Sequence, residues 1–227
     1  PEVVTEEQVD RYMQQATMLA TFTYASLLML ALVTLALFFA SRDFGFLSFF
    51  VFCLAGVLLL AFFNGHLYLF DPFGIFGKLG GTGLHAMSLL FVIASLRILL
   101  RYTDAPQSRP ALAKAINNLC ILSTLAIGLL LAWRERLDWL VAWCMPTAWL
   151  AGCLVALYVL IDASRRRVPL AGAAFASTAM LAISILAWEL ASRGIIAGSL
   201  WVTYGYQVAV VLCAAMVAVG LRSEERR

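Results

Sequence analysis

Long apolar runs without charge constrain this chain more than any other feature. The last of them, residues 200–221, contains no Asp, Glu, Lys or Arg. As a helix it is long enough to cross roughly 30 Å of hydrocarbon. In a lipid core every backbone amide must be hydrogen-bonded within the protein, so a helix is the expected form of such a run. The chain is therefore predicted to be an all-α membrane protein.

The composition supports this class and gives the number of spans. Hydrophobic residues make up 63% of the 227 positions and charged residues 13%, whereas soluble domains carry about 25% charged residues. Apart from Arg97 and Glu189, the charged residues fall in the gaps between apolar runs. Seven runs qualify as predicted spans: residues 17–40, 44–63, 84–100, 115–133, 139–161, 170–191 and 200–221. We expect them to form a seven-transmembrane helix bundle.

The segments around these spans give the domain organisation. Thr5 and Gln8 fit a capping box, which predicts a helix from near Glu6 that continues into the first span. Residues 1–16 are thus predicted to be an extracytoplasmic juxtamembrane helix, 17–221 the membrane domain and 222–227 the start of a cytoplasmic linker helix. Residues 64–83, rich in glycine, are predicted to be irregular. The first residue is Pro rather than Met, so we expect the chain to be part of a longer product.

The positions of Lys and Arg predict the orientation. With the N-terminus outside, eleven of the 16 basic residues fall on the cytoplasmic side, which the positive-inside rule favours. The cytoplasmic set is Arg42, Arg97, Arg101, Arg109, Lys114, Arg165, Arg166, Arg167, Arg222, Arg226 and Arg227. The outer set is Arg11, Lys78, Arg134, Arg136 and Arg193. Trp133, Trp139, Trp143, Trp188 and Trp201 lie at the outer ends of spans, as interface anchors do. The prediction is N-out, C-in.

Polar residues near the outer ends of the spans form a candidate ligand-binding site. Ionisable residues at membrane depth are functional-site candidates. The candidate set is His66, His85, Glu189, Tyr204 and Gln207. A structural alternative exists for Glu189, because Arg193 lies four residues later and a helix would pair the two. Both interpretations stay open at this stage.

No cofactor or metal is expected. Two histidines are too few for an intramembrane zinc hydrolase, and both flank the glycine-rich segment rather than facing each other as haem ligands. A retinal pigment needs a lysine in its last span, and the only lysines are Lys78 and Lys114. The five cysteines lie inside apolar runs and are predicted to be buried small hydrophobes. Nucleic acid is not an expected partner.

The connectors are too short to fold a catalytic domain, so this chain is predicted not to be an enzyme. Arg165, Arg166 and Arg167 are interpreted as a topology determinant, with contact to anionic lipid headgroups as the second interpretation. No glycine or proline follows the last span to end its helix. Leu221 and Arg222 are therefore predicted to be the exit through which a signal leaves the membrane.

Two stretches of the chain carry a family resemblance. The tight turn Ser41-Arg42-Asp43 is followed by the aromatic run Phe44-Gly45-Phe46-Leu47. Trp188, Gly194, Gly198, Tyr204 and Gln207 lead into the last helix, which ends in Leu221-Arg222-Ser223-Glu224. With seven N-out spans, this layout resembles the bacterial seven-transmembrane receptors with diverse intracellular signalling modules. The chain departs from them in the first span, where Leu32-Val33-Thr34-Leu35 replaces a common Tyr-Asn pair.

The resemblance implies a receptor in the bacterial inner (cytoplasmic) membrane. It implies a β-rich extracytoplasmic sensor domain before Pro1 and a cytoplasmic output domain after Arg227, commonly a histidine kinase or a diguanylate cyclase. It also implies a homodimer. The function expected from it is relay of a periplasmic ligand signal to that output domain. Two alternatives remain: a transporter or transport subunit, which the absence of visible inverted repeats disfavours, and a membrane enzyme or redox subunit.

Overall fold

The computed structural model describes residues 6–69, 71, 74–168 and 170–224, and the side chains among them except those of residues 8, 75, 76, 134–148 and 220–224. The described part is helical, and no strand occurs in it. The helices are α1 (Glu6–Ser41), α2 (Phe44–Phe63), α3 (His66–Leu69), α4 (Ile75–Tyr102), α5 (Ala105–Ser108), α6 (Pro110–Ala132), α7 (Arg134–Arg165), α8 (Ala171–Ser192) and α9 (Leu200–Glu224).

Six of these helices, α1, α2, α4, α6, α8 and α9, are long and apolar enough to cross a membrane. The predicted span 139–161 falls on α7, which has 32 residues. For fifteen of those residues, 134–148, the structure describes the backbone but not the side chains. The all-helical membrane architecture is confirmed, while the count of seven and the orientation stay predictions.

The turn between α1 and α2 shows how local chemistry sets the helix ends. Arg42 has a left-handed backbone (φ 59°), which reverses the chain after Ser41. The Asp43 carboxylate then accepts a hydrogen bond of 2.7 Å from the Gly45 amide and caps α2. α2 ends at Phe63, as predicted, with Asn64 as its C-cap. α1 is helical from Glu6, the first described residue of the chain, and Thr5 of the capping box lies outside the described residues, so the predicted helix start stays a prediction.

The prediction that residues 64–83 are irregular was wrong. They contain α3 and the first turns of α4, which begins at Ile75 rather than near Leu84. Glycine density misled the interpretation, because some of these glycines serve packing inside a helix. A Cβ on Gly83 would lie 2.7 Å from Cζ of Phe62. Within α4, Gly80 (φ 49°, ψ −138°) interrupts the helical backbone.

The helices form a ring around two hydrophobic cores. Going round, α1, α2, α4, α7, α8 and α9 each pack against the next, and α9 returns to α1, while α6 packs outside against α4. The larger core joins α1, α2, α4, α8 and α9 around Leu27, Phe49, Leu60 and Ala214. The second joins α4, α6, α7 and α8 around Tyr102 and Leu160. Cys53, Cys120 and Cys153 are buried, as predicted.

Ion pairs tie helix ends together at the Arg42 end of the bundle. Arg101, at the end of α4, pairs with Asp43 before α2. Asp162, near the end of α7, pairs with Arg109 before α6 at 3.1 Å and with Arg166 at 2.9 Å. The end of α7 therefore lies beside the start of α6. Because α7 follows α6 directly in sequence, the two helices run in opposite directions.

Candidate functional site

A partly buried hydrogen-bonded cluster joins α1, α2, α3 and α9 at the opposite end of the bundle, the His66 end. Its members are Tyr24, Asn64, His66 and Gln207, and we call it the polar junction. Asn64 Nδ2 donates to the Tyr24 hydroxyl at 2.8 Å, and that hydroxyl lies 2.8 Å from Nδ1 of His66. Gln207 Nε2 donates to Asn64 Oδ1 at 3.0 Å. The junction connects the last helix to the first two.

Gln207 is the most demanding member of the junction. Its side chain is fully buried. Its Oε1 has no hydrogen-bond partner among the described residues, while its Nε2 also reaches the Tyr206 hydroxyl at 3.4 Å. A buried acceptor without a partner costs roughly 1–3 kcal/mol. The side-chain nitrogen of Gln207 therefore holds α9 in place through hydrogen bonds, while its side-chain oxygen lacks a partner among the described residues.

A cavity of about 270 Å³, the large cavity, lies next to the junction between α2, α4, α7, α8 and α9. Aromatic and aliphatic side chains make up most of its wall, with a few polar groups among them. The lining residues are Leu59, Leu60, Phe63, Leu84, His85, Ser88, Trp149, Ile185, Trp188, Glu189, Tyr206 and Val210. Leu60 and Tyr206 connect the cavity to the junction: the Leu60 carbonyl accepts a hydrogen bond from the Tyr24 hydroxyl at 3.3 Å, and the Tyr206 hydroxyl lies 3.4 Å from Gln207 Nε2.

The aromatic side of the large cavity is packed edge to face. The ring of Phe63 lies 5.0 Å from that of Trp188 and 5.2 Å from that of Tyr206. On the α7 side, Trp149 stacks on Phe91 at 5.8 Å. Trp149 also lines a second, apolar cavity of about 90 Å³, the small cavity, deeper in the bundle. Trp188, predicted as an interface anchor, is thus part of the cavity wall.

Glu189 is the acidic group of the large cavity, and it pairs with Arg193 in the next turn. Arg193 Nε donates to Glu189 Oε1 at 2.7 Å. The Glu189 side chain is 15% exposed and that of Arg193 is 49% exposed. The i to i+4 pairing predicted as the structural alternative is therefore present. It coexists with the position of Glu189 in the cavity wall.

The five predicted site residues thus fall in three places. His85 and Glu189 line the large cavity, and His66 and Gln207 belong to the polar junction. Tyr204 lies apart from both, with its ring 6.3 Å from that of Tyr12 on α1. The difference arises because Tyr204 lies on the side of α9 that packs against α1. The next two residues, Gly205 and Tyr206, are buried inside the bundle.

Sequence reasoning missed Tyr24 and Tyr206 as members of the site. Each is one hydroxyl in an apolar span, and nothing in its sequence neighbourhood distinguishes it from a core or lipid-facing aromatic residue. Asn64 is the polar C-cap of α2, but its place between Tyr24 and Gln207 depends on how three helices pack. Within the described side chains, no three His, Cys, Asp or Glu residues group together as a metal would require.

The predicted arginine cluster divides into two kinds of residue. Arg165 and Arg167 are exposed. Arg166 instead donates to the Thr103 carbonyl at 3.1 Å and to Ser108 Oγ at 2.7 Å, in addition to Asp162. Arg166 therefore fastens α7 to the segment between α4 and α6. Leu221 and Arg222 lie in the helical backbone of α9, and their side chains are outside the described set.

Comparison with known proteins identifies one broad relationship. The family model described as 7TM diverse intracellular signalling matches residues 16–224. The comparison with curated proteins and the comparison with solved structures give no match.

Proposed function

Because the chain belongs to the 7TM diverse intracellular signalling family, we propose that it is the membrane relay of a bacterial receptor. In this proposal it passes an extracytoplasmic ligand signal to a cytoplasmic output domain that follows Arg227. The output domain is a histidine kinase or a diguanylate cyclase, and the receptor acts as a homodimer in the cytoplasmic membrane. A sensor domain precedes Pro1, and the relay chain itself performs no chemistry.

The polar junction is the observation that carries the proposal. It connects α9, the helix that leads out of the bundle, to α1, the helix that leads in. A change in position of α1 would therefore reach α9 through Asn64 and Gln207. The unsatisfied Gln207 Oε1 favours such a response, because a small rotation of the amide can exchange one set of partners for another. A two-state element of this kind is what a relay requires.

At the Arg42 end of the bundle, several helix ends are held in fixed positions relative to one another. The ion pairs there join the ends of α2, α4, α6 and α7. None of these pairs includes a residue of α9 as far as Val219, where its described side chains end. α9 remains helical to Glu224. We infer that α9 moves against helices whose ends are held together, and that its uninterrupted backbone carries the movement to the output domain.

The proposal also includes seven membrane spans, with the N-terminus outside the cell membrane and the C-terminus in the cytoplasm. The placement of the α7 end beside the α6 start supports a crossing by α7, because a helix that did not cross would end at the other face. An odd number of crossings places the two ends of the chain in different compartments.

Reporter fusions test this topology. Alkaline phosphatase and green fluorescent protein are each fused separately after Arg134, Arg167 and Arg227. We expect phosphatase activity only after Arg134, and fluorescence after Arg167 and Arg227. The same reporter active after both Arg134 and Arg167 would show that α7 does not cross. Phosphatase activity after Arg227 would reverse the direction of the relay and overturn the proposal.

Cross-linking tests the relay itself. The rings of Tyr12 and Tyr204 face each other across α1 and α9, so the double variant Tyr12→Cys, Tyr204→Cys can be joined by a short bifunctional thiol reagent. We expect the joined full-length protein to lose its ligand-dependent change in output, with the change restored by a cleavable reagent and reduction. Each single variant is the control. An output that still responds after complete cross-linking would contradict movement between α1 and α9.

A further inference from the structure

We propose that the large cavity binds a small amphipathic amine, one ring in size, whose cationic group replaces Arg193 at the Glu189 carboxylate. The binding site itself is independent of the signalling role. The inference rests on the proposed function only in one respect, namely that occupancy of the cavity is expected to change the output through α9.

The volume of the cavity sets the size of the ligand. About 270 Å³ is more than the roughly 150 Å³ of an apolar cavity that binds benzene. It is slightly less than the approximately 300–1,000 Å³ of pockets for drug-sized molecules. A single aromatic or aliphatic ring with a short side chain fits between these limits.

The walls of the cavity favour a ring next to a positive charge. Phe63, Trp149, Trp188 and Tyr206 present aromatic surface on two sides. Aromatic faces attract cations electrostatically, and the attraction is greatest where water is excluded. An apolar ring would pack against the same residues and against the aliphatic side chains of α2 and α4.

The negative charge of Glu189 in the cavity wall determines which ligand charge is favoured: a cation over a neutral molecule, and a neutral molecule over an anion. Glu189 is largely buried, whereas the guanidinium of Arg193 extends toward water. An amine in the cavity can therefore take the place of Arg193 on the carboxylate while Arg193 becomes hydrated. A ligand carboxylate would be repelled by Glu189. His85 and Tyr206 are the other titratable side chains in the wall, and neither carries a permanent positive charge that would compete with an amine as Arg193 does.

Occupancy would reach the relay by two routes. Tyr206 lines the cavity, and its hydroxyl is within 3.4 Å of Gln207 Nε2. Glu189 and Arg193 lie at the end of α8, directly before the connector to α9. A ligand that displaces Arg193 and presses on Tyr206 therefore acts on both the start of α9 and its polar junction.

Equilibrium dialysis of 2-phenylethylamine against the protein in lipid nanodiscs tests the inference. Empty nanodiscs measure partition into lipid. The neutral 2-phenylethanol and the anionic phenylacetate are the matched ligands. We expect the amine to bind about tenfold more tightly than the alcohol, which corresponds to one charge interaction in a partly desolvated site, and phenylacetate not to bind. Equal uptake of amine and alcohol, or uptake no greater than in empty nanodiscs, would overturn the proposal in favour of lipid occupancy.

Three variants place the binding in the cavity. Glu189→Gln is expected to weaken amine binding about tenfold, and Arg193→Gln to tighten it, because the competing cation is removed. Glu7→Gln is the matched control, since Glu7 and Arg11 form the same i to i+4 pair outside the cavity, and it should leave binding unchanged. Ser88→Phe, which fills the cavity without altering charge, should abolish binding. Unchanged affinity in both Glu189→Gln and Ser88→Phe proteins that elute as folded monodisperse species would contradict the assignment.

Failure of the binding site and failure of the relay give different results. If the amine binds and Glu189→Gln weakens it, but the output of the full-length protein does not change, the site stands and the relay is contradicted. If cross-linking of α1 to α9 blocks the output while no amine binds, the relay stands and the ligand class is wrong.

Discussion

At the scale of single residues, close packing in this bundle depends on a few positions where no larger side chain fits. Gly83 of α4 lies against Phe62 of α2, and a Cβ there would approach the ring to 2.7 Å and the Cβ of Leu79 to 2.8 Å. A Cβ on Gly81, two residues earlier, would meet no neighbouring group within 4 Å. The two glycines look alike in sequence and differ only in what faces them.

Gly83→Ala is therefore expected to destabilise the protein, whereas Gly81→Ala should not. Overpacking of this kind costs typically about 1–3 kcal/mol, because either α4 or the Phe62 ring must shift. Thermal unfolding in detergent, followed by loss of monodisperse protein, measures the difference. Equal stability of the two variants would show that Phe62 can move aside without cost.

The polar junction makes a second prediction at this scale. Asn64→Leu removes hydrogen bonds to both Tyr24 and Gln207 and should destabilise the protein by about 1 kcal/mol, since buried hydrogen bonds in membrane proteins average roughly 0.6 kcal/mol each. Asn118→Leu, at an exposed position of α6, is the control and should be close to neutral. A larger loss for Asn118→Leu than for Asn64→Leu would contradict the structural role of the junction.

How much of the site could be predicted depended on which side chains are unusual in their sequence context. His85 and Glu189 were found because ionisable side chains near span ends are rare and stand out. Tyr24 and Tyr206 were not, because a tyrosine in an apolar span is ordinary until a partner from another helix reaches its hydroxyl. Tyr204 was grouped with Gln207 on helical spacing, but the packing of α9 against α1 directs the two side chains to different neighbours.

At the scale of elements, the bundle is fastened mainly at its Arg42 end. Asp162 accepts hydrogen bonds from Arg109 and Arg166, and Arg166 also binds the Thr103 carbonyl. Burial acts to raise the pKa of the Asp162 carboxyl, but the hydrogen bonds and charges of Arg109 and Arg166 outweigh it. The pKa therefore lies below its ordinary value of 3.8.

A lowered pKa in the folded state gives a defined pH dependence. The stabilisation from Asp162 is complete above the ordinary carboxyl pKa and is lost as the pH falls through the lower, folded-state pKa. Asp162→Asn should cost about 1 kcal/mol at neutral pH, a modest value because Arg109 stays largely in water. The difference from the unsubstituted protein should persist down to about pH 5 and vanish in stronger acid. Asp10→Asn, on the exposed start of α1, is the control; a difference that grew in acid would have the wrong sign.

The boundaries of the elements were predictable where a side chain caps a helix. Asp43 and Asn64 flank α2, and both ends were predicted correctly because their polar side chains interrupt apolar runs. The start of α4 was predicted incorrectly, because each glycine between residues 74 and 83 is by itself typical of a loop. Whether such a glycine breaks a helix, as Gly80 does, or permits close packing, as Gly83 does, depends on a neighbouring helix that the local sequence does not specify.

At the scale of the whole molecule, α1 and α9 are the first and last helices of the described chain, and they pack against each other. α1 has 36 residues, about 54 Å of helix, well beyond the roughly 30 Å of hydrocarbon. α9 continues four residues past Gly220 to Glu224. In the proposed relay, a signal carried by rigid helices depends on the angular position at which α9 would enter the output domain.

Insertion of alanines after Arg222 tests this dependence. Each inserted residue rotates the following chain by about 100° and advances it by about 1.5 Å. We expect one or two alanines to lock or invert the output of the full-length protein, and four, which restore the original face to within about 40°, to recover regulation. Glycine insertions of equal length serve as the control. An output that is indifferent to insertion length would indicate a flexible tether.

The shared position of Trp149 has a mechanical consequence. Its side chain lines both the large cavity of about 270 Å³ and the small cavity of about 90 Å³. A ligand in the large cavity that displaced the indole toward the small cavity would use the free volume there, which would reduce the displacement that the helix backbones must take up. A bulkier residue in the wall of the small cavity would restrict this movement of the indole and transmit more of the displacement to the helices.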